Sequence, residues 1–221
     1  HEWGIKPMGD AATYLQKFPH PYVRVYPDCH VHMHIRIKKG EIIKEYKYID
    51  DFMPGSTSGN GEVTAEVVFA GYGITAPEMG YDDYADINVK GKIVLITREG
   101  PVTPSDEDFL RWRPYTFHQY KLLNAVKHGA VGMLYDYGPI GNPNNAWIEG
   151  FVYSHVGKTV IKDIFAGTGR TAKELYGKIR QDLKPQSFRT GKVFSIKNTT
   201  EYHPETMGSN VIGFLEGSDP V

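Results

Sequence analysis

The chain has one cysteine, Cys29, in 221 residues, so no disulfide framework can form within it. Neither charge is in surplus. The 25 Lys and Arg stand against 26 Asp and Glu, a net charge of −1, which excludes a broad electrostatic attraction to nucleic acid. No apolar run approaches the roughly 18 to 20 residues of a membrane span. Gly-x-Ser-x-Gly, His-Glu-x-x-His, Cys-x-x-Cys and the phosphate-cradling Gly-x-x-x-x-Gly-Lys-Ser/Thr are all absent, so spacing alone offers no catalytic constellation. What is present is ordinary globular material, 40% hydrophobic and 23% charged. At roughly 150 residues per domain, the length allows one to two domains with a sizeable core.

Periodicity divides the chain. Val31, Met33, Ile35 and Ile37 alternate with His32, His34, Arg36 and Lys38, the period-2 pattern of a half-buried strand. A turn at Lys39-Gly40 and a second strand over Ile42 to Ile49 would complete a hairpin. Residues 54–62, dominated by Gly, Ser and Asn, read as a loop and a domain boundary. A mixed α/β pattern follows. Strands are expected over Val63 to Tyr72, Lys92 to Thr97, Ala130 to Tyr135, Val193 to Ile196 and Val211 to Leu215. Thr116 to His128 reads as a helix capped at Gly129. A second helix carries Val156, Val160, Ile161 and Ile164 on one face, with Ser154 as its expected N-cap. A third begins at Thr171 and Glu174, which have capping-box spacing, and stops at Pro185.

Each candidate for chemistry has a plainer reading beside it. His30, His32 and His34 share one face of a strand and can converge on a metal such as zinc, or form a solvated polar row. Cys29 lacks a nucleophile signature and reads as a small core thiol. Gly71 to Ala76 and Gly167 to Ala172 both match Gly-x-Gly-x-x-Ala, but neither sits between a strand and a helix as a dinucleotide site requires, so turn roles suit them better. Asp82-Asp83 can bind a hard cation or hold a turn, and a turn is the commoner use. Asn198-Thr199-Thr200 is a glycosylation sequon, meaningful in a eukaryotic secretory host. Read from its residues, the chain is an α/β domain with an N-terminal appendage.

Several blocks carry a resemblance. Ala65 to Glu78, Tyr81-Asp82-Asp83-Tyr84, Val89 to Leu95 and Lys127 to Met133 are similar, in order, to a protease-associated (PA) domain. The version they resemble is the one inserted in bacterial zinc aminopeptidases of the leucyl aminopeptidase and glutamate carboxypeptidase type. Trp3 to Asp10, Tyr14 to Phe18 and Gly208 to Pro220 resemble the peptidase segments on either side of the insertion.

The resemblance implies a swivelling β/β/α PA domain at residues 62–207, an incomplete peptidase segment with a β-hairpin at 1–61, and a return strand at 208–221. It implies no catalytic, cofactor-binding or metal-binding residue in this chain. Two zinc ions are expected in a core beyond Val221, where a His and an Asp two residues apart normally follow the last strand. Metals of that kind lower the pKa of water and polarise the carbonyl. The fragment is expected to be inactive alone, to shape access for a peptide or protein substrate, and to be secreted or periplasmic, its start at His1 fitting either a removed signal peptide or a trimmed chain. It has no nucleic-acid partner and no membrane span, and the sequence leaves its oligomeric state open. Detached from a core, Ile5 to Ile37 would expose apolar surface or swap between chains. A stand-alone protein- or peptide-binding module is the alternative, separated from the first reading by whether the reading frame continues past Val221.

Overall fold

A computed structural model describes residues 3–136 and 147–217. The chain forms two compact bodies, Val23–Glu201 and the paired ends His1–Tyr22 with Tyr202–Val221.

The large body is a mixed α/β fold around one eight-stranded sheet. In chain order its strands are β1 (His30–Ile37), β2 (Gly40–Glu45), β3 (Phe52–Pro54), β4 (Gly61–Phe69), β5 (Ile93–Thr97), β6 (Gly132–Asp136), β7 (Val152–Val156) and β8 (Phe188–Asn198). Across the sheet they run β2-β1-β8-β4-β5-β6-β7-β3. The central strands β4 to β7 are parallel, and both flanks are antiparallel. Parallel strands are covered on both faces, which is why β5 and β6 are nearly continuous apolar runs. One face packs Val67, Phe69, Ile93, Leu95 and Leu134 under helices α3 (Lys158–Phe165) and α4 (Ala172–Asp182). The other packs Val68, Val94, Ile96 and Met133 under α2 (His118–Lys127).

The period-2 strand forms as expected and enters a hairpin, but the turn is Lys38-Lys39 and the second strand is Gly40–Glu45, ending short of the expected Ile49. The helix over 118–127 and its Gly129 cap, at φ +82°, form as expected. The Thr171–Glu174 capping box is present in both directions. Other features differ from the sequence reading, among them the strand expected over Val211 to Leu215, which is instead Met207–Val211 followed by Gly213–Phe214. Ser154 is not a helix cap. It lies fully buried in mid-β7, and α3 starts after Gly157. A helix, α1 (Phe109–Thr116), stands where none was expected, with Pro114 inside it.

The polar stretch 54–62 is not an exposed linker. Thr57 and Ser58 are buried, and Gly55 and Gly59 donate their N–H groups to the carbonyls of Tyr153 and Phe151 at 2.9 Å each. Its polarity is satisfied internally, because the loop packs along β7 and exchanges hydrogen bonds with it.

The compact bodies also divide the chain differently from 1–61, 62–207 and 208–221. Residues 30–34 of β1 pair with 193–197 of β8, which draws the hairpin into the large body.

In the body made from the chain ends, Leu15–Pro19 pairs antiparallel with Met207–Val211, and Lys6–Pro7 with Gly213–Phe214. None of its described residues is buried, and Trp3 is 80% and Val211 77% exposed.

Candidate functional site

At the carboxyl ends of β4 and β5 the chain turns through Gly71-Tyr72-Gly73, with φ +49° and +69° at the two glycines. That conformation favours glycine, and at Gly71 a Cβ would also sit 2.4 Å from Asp83 Oδ1. The Asp83 carboxylate closes the turn. It accepts the N–H of Tyr72 at 3.0 Å and of Ile74 at 3.1 Å, and the Tyr81 hydroxyl at 2.7 Å. Burial pushes Asp83 up to about 7, against the opposing pull of these donors and of Lys121. Lys121, itself fully buried on α2, donates to the carbonyls of Thr97 and Glu99 at 2.6 Å each, and burial pulls it down to about 7. Arg180 Nε donates to the Tyr72 hydroxyl at 3.0 Å. The Asp82-Asp83 pair is therefore a turn device, as its plainer reading expects. Asp82 accepts from Thr75 Oγ1 at 2.8 Å and from the Tyr84 N–H at 2.9 Å. With Asp83 1% exposed, this network braces the strand ends and offers no path to a substrate.

Beside it lies an open groove of about 520 Å³. Ile161, Phe165 and Ala172 give it apolar walls, Asp136 enters from the end of β6, and Lys158 and Arg170 add cations. Burial raises the pKa of Asp136. The Arg170 guanidinium lies 4.4 Å from the centre of the Phe188 ring. Open α/β sheets bind ligands outside the carboxyl ends of their parallel strands, and this groove occupies such a place. Its chemistry suits an apolar side chain of a peptide or protein, held by burial rather than by a reacting group.

The histidine row does not gather into a metal site. His30 and His32 stack with ring centres 4.1 Å apart, and His30 Nε2 faces Glu62 at 3.3 Å. His34 lies 3.0 Å from Glu41 and 3.1 Å from Ser195 Oγ. Among the described residues no group of three or more His, Cys, Asp or Glu is placed to hold a metal ion. The three histidines of this strand therefore do not form a zinc centre. Cys29 donates to the Tyr26 carbonyl at 3.1 Å and accepts from the Thr199 N–H, while burial raises its pKa away from the reactive thiolate. Gly167 and Gly169 turn the chain between α3 and α4, at φ +76° and +69°. Asn198 of the sequon is 1% exposed, with its amide donating to Ser58 Oγ at 2.8 Å and to the Tyr153 carbonyl at 2.7 Å.

One cluster was not anticipated from sequence. His118 of α2 packs its ring 5.1 Å from those of Tyr135 and Tyr153, and 6.4 Å from His155. Its Nε2 meets the Tyr153 hydroxyl at 3.2 Å, and burial lowers its pKa to about 3. The signal available was period 2. Tyr153 and His155 alternate on β7, and Tyr135 stands in register with His155 on the neighbouring β6.

Residues 63–158 match the family model of the PA domain. No curated protein gives a significant match. Among solved structures, the chain is similar to an aminopeptidase from Aneurinibacillus sp. strain AM-1, with 17% identity and a TM-score of 0.49 over 89% of this chain and 36% of that one. A peptidase M28 precursor from Shewanella amazonensis SB2B gives 10% identity and 0.40 over 88% and 40%. A zinc aminopeptidase from Bacillus subtilis gives 18% and 0.39 over 90% and 35%. The chain thus spans only 35% to 40% of the length of these proteins.

Proposed function

For a chain whose residues 63–158 form a PA domain, we propose a role as the non-catalytic, PA-bearing part of a secreted or periplasmic zinc aminopeptidase. In this reading the PA domain shapes access for a peptide or protein substrate, and the groove along α3 takes an apolar side chain of that substrate. Hydrolysis of N-terminal peptide bonds, with its two zinc ions, belongs to residues outside the described ones.

The observation that carries the reading is the body made from the chain ends. Two segments roughly 190 to 210 residues apart pair strand to strand on either side of the PA domain, as the two sides of an interrupted domain would. They bury none of their own described residues, and Ile5, Leu15, Val211 and Leu215 are exposed. An apolar surface of this kind calls for further protein to cover it.

The test compares two proteins on aminoacyl chromogenic substrates with zinc supplied. One is the 221-residue chain, and the other is the product of its reading frame continued past Val221. Chelator-sensitive hydrolysis by the longer product alone is expected. A stop codon close after Val221 would instead favour the stand-alone binding module. Hydrolysis by the 221-residue chain itself would defeat the assignment of a non-catalytic role.

A further inference from the structure

At one end of the eight-stranded sheet β2 has no neighbour on its outer side among the described residues. It is six residues long, free of proline, and carries Ile42 and Ile43, each 51% exposed. An open edge of this kind is a template for pairing, which natural proteins usually blunt. Its hydrogen-bonding parity follows from the hairpin. The two-residue turn Lys38-Lys39 makes Ile37 and Gly40 the closing hydrogen-bonded pair, so Ile35–Ile42 and Met33–Lys44 are hydrogen-bonded pairs as well. The next N–H, on Tyr46, bonds to the Val31 carbonyl at 3.2 Å in the same phase. Glu41, Ile43 and Glu45 therefore turn their backbone N–H and C=O groups outward.

We propose that this edge pairs antiparallel with the same edge of a second copy of the chain about a two-fold axis, placing Ile42 opposite Ile42 of the second copy. In that register Glu41 and Ile43 exchange backbone hydrogen bonds with Ile43 and Glu41 of the second copy. Ile42 meets itself in a non-hydrogen-bonded pair, where side chains approach most closely. At the end of the ladder the turn residue Lys39 comes level with Glu45 of the second copy, within reach of its long side chain, and the symmetry makes that ion pair twice. Charge selects the register. Sliding by one permitted step in one direction sets Glu41 against Glu45 of the second copy. Sliding the other way sets Glu41 against itself, and like charges directly opposed destabilise a strand pair. An isologous contact closes on itself, so the assembly stops at a dimer of continuous sheets. The proposal is independent of the peptidase reading, since it uses only the hairpin of the large body.

Sedimentation equilibrium of the purified chain over a concentration series tests it. A reversible dimer is expected. Ile42→Lys should leave a monomer with an unchanged far-UV spectrum, because the side chain is half exposed and α-helix and core packing do not depend on it. Glu45→Lys should weaken the dimer about tenfold, and adding Lys39→Glu should restore it. In a Cys29→Ser background, Ile42→Cys should oxidise to a covalent dimer, since non-hydrogen-bonded partners stand about 4.5 Å apart at Cα, within disulfide reach. A monomeric wild-type chain at every concentration overturns the proposal. So does a dimer that survives Ile42→Lys, for which the exposed apolar chain ends would be the source. Failure of the double charge reversal to restore the dimer overturns the register.

Discussion

His118 shows how much one side chain can carry when its surroundings are dry. An imidazole buried among Tyr135, Tyr153 and His155 is held neutral, with a folded pKa of about 3 against an ordinary 6.5. A depressed pKa contributes stability that is complete above pH 6.5 and is lost as the pH falls toward 3. Acid unfolding should therefore steepen in that window, by on the order of 4 kcal/mol in total. His118→Phe should flatten the limb, as read from urea midpoints across pH. Asn198 poses a different residue-scale question. Its amide bonds to Ser58 and Tyr153, so Asn198→Ala leaves buried partners unpaired and should cost about 2 kcal/mol in denaturant unfolding. For the same reason the folded chain should leave this sequon unmodified in a secretory host, which intact-mass measurement would check. Neither role is legible from sequence, because a His or an Asn looks the same whether it faces water or a tyrosine ring.

The elements were legible where a period or a cap spoke for itself. The alternation of β1, the apolar runs of β5 and β6, and the Thr171–Glu174 box all arise from contacts within a few residues, so the local pattern carries them. Thr171→Ala should lower stability by about 1 kcal/mol, measured by thermal or urea melting, since it removes the hydroxyl that accepts the N–H of Glu174 and donates to the Glu174 carboxylate. The loop at 55–59 is the opposite case. Its Gly and Ser content suggests a linker, yet a Cβ at Gly55 would lie 2.0 Å from the Tyr153 ring. Gly55→Ala should cost more than about 3 kcal/mol, or prevent folding, where a true linker would accept it freely. Ser154 misled for a related reason. A serine before an apolar periodic run suits an N-cap, and only the strand pairing with Gly132–Tyr135 and Phe52–Pro54 places it inside the sheet.

At the scale of the whole molecule, one body has a packed two-faced core, and the other is held by strand pairing with no buried residue of its own among those described. A chain extended past Val221 should bury the apolar ends, and hydrogen exchange at residues 15–19 and 207–211 should slow sharply relative to the 221-residue chain. The sequence by itself determined the α/β class, the PA blocks and most strand and helix positions, because these depend on short-range periodicity and on residue types in a fixed order. It also determined the lack of any recognisable catalytic motif. Only the tertiary structure decided that the hairpin joins the large sheet, that the 55–59 loop and Asn198 are interior, that the three histidines find separate partners, and that a groove opens between α3 and the end of β6. Those outcomes depend on which distant segments meet across the sheet, and burial, unlike periodicity, is a property of both partners and cannot be read from either one alone.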